Sequence, residues 1–302
     1  MTDALTPTPR TVDQIAAGAE QDALVSRGVW ATVRRRVLFW LPLAVLAVLL
    51  LMALVPQLFT STDPRACDIS ASARPSSAGH PFGQDLQGCD VYASVVHGAR
   101  ASLSVGLVCT LIALAVALLV GTVAGYVGGW ADSVLARLTD VFLGFPFLLG
   151  AIVVLNSLGE RSVLSVSLVL AVFSWPTLAR MVRTTVRATR HAEYVQAAKA
   201  MGFPTSRILS HYVLPNSIGP VLAVATLTVG GVIVAESTLT FLGLGLRAPS
   251  ISWGLQLATA QSRFQQAPHT LIYPAMFLAA TVLSLITLGD VLRDAVNPKG
   301  RS

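Results

Sequence analysis

Long apolar runs alternate with polar connections along most of this chain. Six runs come close to the roughly 20 apolar residues that a helix needs to cross the hydrocarbon core of a bilayer. Each run is continuously apolar, whereas a strand of a membrane barrel would alternate apolar and polar residues over about ten positions. The pattern therefore predicts an all-α polytopic membrane protein with six transmembrane helices, over residues 37–55, 102–126, 139–158, 163–179, 217–236 and 270–288.

The composition agrees with this prediction. Of the 302 residues, 54% are hydrophobic and 12% are charged, about half the charged fraction of an ordinary soluble domain. A polar stretch precedes the first run and no small-residue cleavage pattern follows it, so we expect that run to stay as an anchor. The predicted parts are a cytoplasmic N-terminal tail (1–36), a first helix (37–55), an extracytoplasmic segment (56–100), a five-helix core (101–292) and a cytoplasmic C-terminal tail (293–302).

The positive charges give the orientation. Lys and Arg concentrate in the cytoplasmic loops of membrane proteins. With the N-terminus in the cytoplasm, fifteen of the 21 Lys and Arg residues lie inside and six lie outside. We therefore expect both termini, and the connection between the fourth and fifth runs, in the cytoplasm. The net charge of +6 has the same origin, and no basic soluble face indicates nucleic-acid binding.

The connection between the fourth and fifth runs is polar and helix-forming. A helix over residues 192–201 would place Tyr194, Ala198 and Met201 on one face, because they are spaced by four and three positions. Gly202 would end that helix. A short, slim helix held between two membrane spans can insert into a groove of another protein, and it would move whatever moves those spans.

The spacing of small residues in this connection resembles a known motif. Ala197 and Ala198, Gly202 and the later Leu214-Pro215 pair are similar to the EAA loop of the membrane subunits of bacterial ABC importers, where the loop forms a coupling helix against the ATPase subunit. We therefore call residues 190–216 the coupling segment. The resemblance implies ATPase contacts by Glu193, Tyr194, Ala197, Ala198, Met201 and Gly202.

The match departs from the motif at two positions. Gln196 stands where the motif has glutamate, and Tyr212 where it usually has isoleucine. The acid lies instead at Glu193, a variant similar to the dipeptide and oligopeptide class of these permeases. Further blocks resemble the same class: GARASLSVG (98–106), AGYVGGWAD (124–132), ESTLTFLGLG (236–245) and SWG (252–254).

This resemblance implies a permease subunit in a bacterial inner membrane, with several partners. A second, homologous but non-identical permease subunit would complete the pore, and cytoplasmic P-loop ATPase subunits would bind ATP and Mg²⁺. An external substrate-binding protein would deliver dipeptides or oligopeptides, with nickel or haem as alternative cargoes. This chain itself would hold no cofactor and no metal.

Two other classes of function remain as alternatives. A secondary transporter or channel would work without ATP, but such proteins tend to show internal repeats and intramembrane charges, which are sparse here. A membrane enzyme would need a nucleophile or metal constellation. The sequence contains no phosphate-binding loop, no HExxH and no GxSxG motif, so we do not expect an enzyme.

Two of the three cysteines lie in the predicted extracytoplasmic segment. Cys67 and Cys89 would meet an oxidising environment there, which permits a disulfide. Two unpaired thiols are the alternative.

Charged residues near the membrane carry the remaining expectations. Asp140 would pair with Arg137 or a loop residue, or act in the pathway. Glu236 would line the outer mouth or cap the segment that follows it, because a buried acid needs a partner or water. Solvation would explain Arg161 at its turn. Contacts with lipid headgroups or with acids of the ATPase are expected of the ladder Arg180, Arg183, Arg187 and Arg190.

Overall fold

The computed structural model describes residues 37–296, and within that range every regular element is a helix. Single 3₁₀ turns lie at Pro56–Leu58, Ile69–Ala71 and Gln261–Arg263. The predicted N-terminal tail and residues 297–302 of the C-terminal tail lie outside the described range. The helices are α1 (Val37–Leu54), α2 (Val91–Val127), α3 (Gly129–Gly144), α4 (Phe147–Leu158), α5 (Val163–Thr189), α6 (Glu193–Ala200), α7 (Thr205–Phe241), α8 (Trp253–Ala260) and α9 (His269–Val296).

Four of these helices, α2, α5, α7 and α9, are long and apolar enough to cross a membrane. The pair formed by α3 and α4 makes a fifth candidate span, and α1 is apolar but shorter. An all-α polytopic membrane protein is therefore confirmed. The number of six spans and the orientation remain predictions.

The third predicted span is not one straight helix. Helices α3 and α4 meet at an angle of 82° across a short break, where Phe145 and Pro146 have extended backbone and α4 begins at the next residue. Proline lacks the N–H that helix continuation requires and disfavours helical geometry in the residue before it. The prediction of a single run over 139–158 is corrected to a broken helix.

The other core helices extend beyond their apolar runs. Helix α2 begins at Val91, eleven residues before the predicted span, because the Asp90 carboxylate accepts a 2.6 Å hydrogen bond from the backbone N–H of Ala93 and so caps the helix. Residues 91–100, predicted as part of the extracytoplasmic segment, are thus helical. Helix α5 continues ten residues past its run and α7 starts twelve before its own, so polar turns of helix project from the apolar layer.

Helices α2, α5 and α7 share the main core. Gly121 and Gly125 of α2 face α5 closely: a Cβ on Gly121 would lie 2.6 Å from the Cβ of Val182, and one on Gly125 would lie 2.7 Å from the carbonyl oxygen of Arg183. Small residues allow such close helix packing in lipid, where van der Waals contact drives association. Of the glycines in the AGYVGGW stretch, Gly125 therefore serves packing, whereas Gly128 and Gly129 have positive φ and lie where the chain passes from α2 to α3.

Residues 55–90, which we call the cap, fold against the ends of α2 and α9. The cap contains the predicted disulfide between Cys67 and Cys89. Phe82 stacks on Tyr273 of α9 with ring centres 3.9 Å apart, and His269 Nε2 lies 2.9 Å from the carbonyl oxygen of Gln84. A covalent staple and packed side chains thus fix the cap at the end of the bundle opposite to the coupling segment.

Candidate functional site

Helix α6 forms the centre of the coupling segment, as the sequence predicted. It begins after Ala192, and Gly202 follows its end with a φ of 78°. The backbone N–H of Phe203 then donates to the carbonyl oxygen of Ala198 at 3.2 Å. A left-handed glycine that closes a helix in this way reverses the chain at low cost. The helix is thereby confined to two turns between α5 and α7.

The two faces of α6 have different surroundings. Val195 and Ala198 are completely buried in the core that α2, α5 and α7 share. The prediction that Ala198 lies on the docking face with Tyr194 and Met201 is therefore wrong, because residues three apart on this helix turn inward together. Of the residues predicted to contact the ATPase, the other five are exposed: Glu193, Tyr194, Ala197, Met201 and Gly202.

Side chains of α6 tie it to neighbouring elements. Lys199 Nζ lies 5.4 Å from the centre of the Tyr126 ring at the end of α2, a cation–π distance. Gln196 donates a 2.8 Å hydrogen bond to the carbonyl oxygen of Arg190. With its apolar face buried as well, α6 is held to the bundle on more than one side and should move with it.

Arg190 joins the end of α5 to the end of α2. Its Nη1 donates to the carbonyl oxygens of Tyr126 at 2.7 Å and Gly125 at 3.3 Å. These carbonyls belong to the last turn of α2, where no intrahelical N–H remains to bond them and a positive charge is favourable. Arg190 therefore links the short connection before α6 to α2, a helix that crosses the whole bundle.

The three preceding arginines of α5 pair with acids of α3. Arg183 makes a two-pronged contact with Asp132, its Nη2 lying 2.8 Å from Oδ2, and Arg187 lies 3.6 Å from the same carboxylate. Arg180 lies 2.6 Å from Asp140. The ladder thus has acidic partners within its own chain, which the sequence analysis did not predict. Its contacts with lipid headgroups or with acids of a partner stay a prediction for the more exposed Arg180 and Arg187. Sequence reasoning missed Asp132, which no local pattern distinguishes.

The two acids predicted near the pathway have different places. Asp140 is half exposed and its partner is Arg180, not Arg137. Glu236 is completely buried inside α7, where it accepts hydrogen bonds from the hydroxyls of Thr240 at 2.8 Å and Ser237 at 3.2 Å. Glu236 therefore does not line an open surface of this chain. The predicted cap is wrong as well, because the donors are side-chain hydroxyls and α7 continues through the residues that follow, to Phe241.

At the cap end, Arg161 is not the solvated turn residue that the sequence suggested. It is 8% exposed, and its Nη1 donates to the carbonyl oxygen of Gly243 at 3.2 Å. The burial arises because the loop after α7, 82 residues further along, folds over the turn between α4 and α5. That long-range contact leaves no local signal in the sequence.

The contacts described above tie helices to one another. Among residues 37–296, no group of three His, Cys, Asp or Glu side chains could hold a metal ion. The features that stand out are an exposed short helix at one end, rigid ties from it to the long helices, and a stapled cap at the other end.

Comparison with known proteins gives a consistent family. A family model described as "Binding-protein-dependent transport system inner membrane component" matches residues 117–302. The chain is 38% identical to the oligopeptide transport system permease protein OppC of Escherichia coli, over 94% of this chain and 95% of that protein. It is 36% identical to the dipeptide transport system permease protein DppC of Alkalihalophilus pseudofirmus, over 86% and 85%. For the glutathione transport system permease protein GsiD of Shigella flexneri the identity is 40%, over 73% and 72%.

Proposed function

Because this chain belongs to the family of binding-protein-dependent transport system inner membrane components, we propose that it is the permease subunit of an ATP-driven importer of dipeptides or oligopeptides. It is a multi-pass protein of the bacterial inner membrane. Relatives named for dipeptide, oligopeptide and glutathione transport favour peptides over nickel or haem as the cargo.

The observation that carries the coupling role is the exposed face of α6 at the junction of three long helices. Glu193, Tyr194, Ala197 and Met201 point away from the bundle, so they are available to a groove in a cytoplasmic ATPase. Val195 and Ala198 hold the helix from behind. A docked helix anchored in this way transfers a push from the ATPase to the bundle instead of bending away.

The ties around α6 suggest how the push travels. Nucleotide binding to the ATPase would displace α6, and Arg190 and Lys199 would pass the displacement to the end of α2. The close glycine contact between α2 and α5 then makes the helices move as one body. This is a two-state element whose equilibrium is shifted by ATP bound elsewhere.

The remaining parts of the proposal concern partners and orientation. The chain works beside a second, non-identical permease subunit, because one such bundle lines only half of a pore. It has six spans with both termini in the cytoplasm, which places the coupling segment beside the ATPase and the cap outside. An external binding protein delivers the cargo, and ATP and Mg²⁺ are bound by the ATPase subunits.

The test is reconstitution of the complete importer with its ATPase subunits. We expect co-purification with a P-loop ATPase, and peptide uptake and peptide-stimulated ATP hydrolysis in liposomes that contain the complete importer. Ala197→Trp on the exposed face of α6 should keep ATP hydrolysis but lower uptake at least tenfold, because the larger side chain no longer fits the groove.

Ser133→Trp is the matched control, because Ser133 is also a small exposed residue but lies on α3, outside the coupling segment. It should transport normally. Equal uptake by the Ala197→Trp and wild-type importers would contradict docking through α6. Concentrative uptake by the chain without any ATPase would contradict the proposed function as a whole.

A further inference from the structure

Arg161 at the cap end is a buried cation with an incomplete set of partners. It lies in the turn between α4 and α5, and less than a tenth of its surface is exposed. Its one hydrogen bond is the 3.2 Å contact from Nη1 to the carbonyl oxygen of Gly243, while the buried Nε has no acceptor. Within the described range, no carboxylate lies within 4.0 Å of its guanidinium.

Two more arginines converge on the same loop. Arg247 is exposed on the loop that follows α7. Burial of Arg161, and to a lesser extent the charge of Arg247, lowers the pKa of Arg161 below the usual arginine value. Arg65 of the cap donates from Nη2 to the carbonyl oxygen of Pro249 at 2.9 Å. We call Arg65, Arg161 and Arg247 the arginine cluster.

The nearby acids do not neutralise the cluster. Asp63 accepts a hydrogen bond from the backbone N–H of Arg65, and Glu160 is exposed. Neither makes an ion pair with the arginine cluster in the part of the chain that the structure describes. A buried charge without a counter-ion is unfavourable, and a second like charge nearby adds to the cost.

The chemistry of the missing partner follows from the guanidinium. Its planar fork of N–H donors matches a carboxylate, with which it forms strong charge-assisted pairs. Arg161 is recessed while Arg247 is exposed, so a flat protein surface would reach Arg247 but not Arg161. A slender chain end that carries a carboxylate suits this recessed position better.

We propose that Arg161 and Arg247 form a carboxylate subsite at the extracytoplasmic end, which receives the C-terminal carboxylate of the arriving peptide. The identity of the cargo and the extracytoplasmic position of this end rest on the proposed function. Arg161 fixes the carboxylate, Arg247 attracts it from solution, and Arg65 holds the loop that carries Arg247.

The first test compares uptake of trialanine with uptake of trialanine amide by the complete importer with its binding protein. Arg161→Gln should lower the preference for the free carboxylate about tenfold, the loss expected for one charge-assisted contact. Arg247→Gln is a second variant at an exposed position that leaves folding intact, and it should lower the preference about threefold. Arg74→Gln is the matched control, because Arg74 is an exposed cap arginine whose side chain bonds Ser70 outside the cluster.

The second test does not require peptide transport. Acetate should raise the unfolding temperature of the purified wild-type importer, relative to chloride at equal ionic strength. The Arg74→Gln importer should respond equally and the Arg161→Gln importer should not. If no peptide is taken up by the wild type but this acetate response is lost in Arg161→Gln, the proposed cargo is wrong and the carboxylate subsite stands.

Two results would overturn the subsite. One is an unchanged preference for trialanine in both variants, with the same acetate response in all importers. The other is a weaker affinity for the binding protein with an unchanged preference between the two peptides. That outcome would reassign the arginines to a protein contact.

Discussion

Arginines at the two ends of the bundle differ in how fully other groups of the chain satisfy their charge. At the coupling end, Arg180 and Arg183 each meet a carboxylate of α3, and Arg190 donates to the carbonyl oxygens that end α2. At the cap end, Arg161 bonds a single carbonyl oxygen and has no carboxylate within ion-pair distance among residues 37–296.

The difference indicates what each end does. A set of charges satisfied inside the chain is a structural joint, because it fixes helices relative to one another whether or not a partner is bound. Charges left unsatisfied in one chain are suited to a ligand that comes and goes. The coupling end therefore offers an outside partner a rigid, mostly uncharged docking face, and the cap end offers charge.

Removing the disulfide should have the largest effect on stability, and it tests what holds the cap end in place. Cys67→Ser opens a link between residues 22 apart in sequence, which should cost the cap about 3 kcal/mol of local stability on the chain-entropy model. The loosened cap would no longer hold Arg65 against Pro249. Limited proteolysis within residues 55–90 should become faster.

Thiol labelling provides the control for this variant. The remaining cysteine, Cys109, is buried in α2, so Cys109→Ala removes background without touching the cap. In that background, Cys89 should be labelled in the Cys67→Ser protein and be protected in its parent until a reductant is added. Equal labelling without reductant would show that the bridge does not form.

Breaking the joint at the coupling end should have the next largest effect. Asp132→Ala leaves Arg183 and Arg187 without their shared carboxylate, which should cost about 1–3 kcal/mol because a partly buried charge loses its partner. The unfolding temperature in detergent and peptide uptake should both fall. Exchanging the charges, Asp132→Arg with Arg183→Asp, should restore part of the loss, and an unchanged unfolding temperature in Asp132→Ala would contradict a structural joint.

Much of this architecture could be predicted from sequence, because apolar runs form helices wherever water is excluded. The predictions that the structure corrects concern features that depend on contacts between distant parts of the chain. Pro146 in the third run indicates a kink, but hydropathy did not reveal its size of 82°, since the run stays apolar across the break. The inward turn of Ala198 and the burial of Arg161 depend on which elements pack over them.

Weakening the tie between α5 and α2 should have a moderate effect and tests whether the joint transmits motion. Arg190→Gln removes the charge that faces the last carbonyl oxygens of α2, which should cost about 1 kcal/mol. Uptake per ATP hydrolysed should fall severalfold while ATP hydrolysis continues. Arg187→Gln is the matched control, because Arg187 is 63% exposed and its carboxylate contact is longer, at 3.6 Å. An equal loss in both variants would mean that the effect is one of charge and not of the α2 contact.

The smallest effect is expected at the outermost pair of the coupling end, Arg180 with Asp140. Both side chains are about half exposed, at 52% and 48%, and such pairs contribute roughly 0–1 kcal/mol because water screens them. Asp140→Asn should therefore leave the unfolding temperature within about 2 °C of the wild type and uptake within about twofold.

The sequence alone also allowed Asp140 a role in the transport pathway. Measurements of stability and uptake separate that role from a structural one. If Asp140 has only a structural role, Asp140→Asn should lower the unfolding temperature and uptake slightly and together. If Asp140 acts in the pathway, the substitution should lower uptake with no change in unfolding temperature. The second result would mean that the coupling end, like the cap end, has a charged residue that serves a partner outside the chain. The contrast between the two ends would then not hold for Arg180 and Asp140.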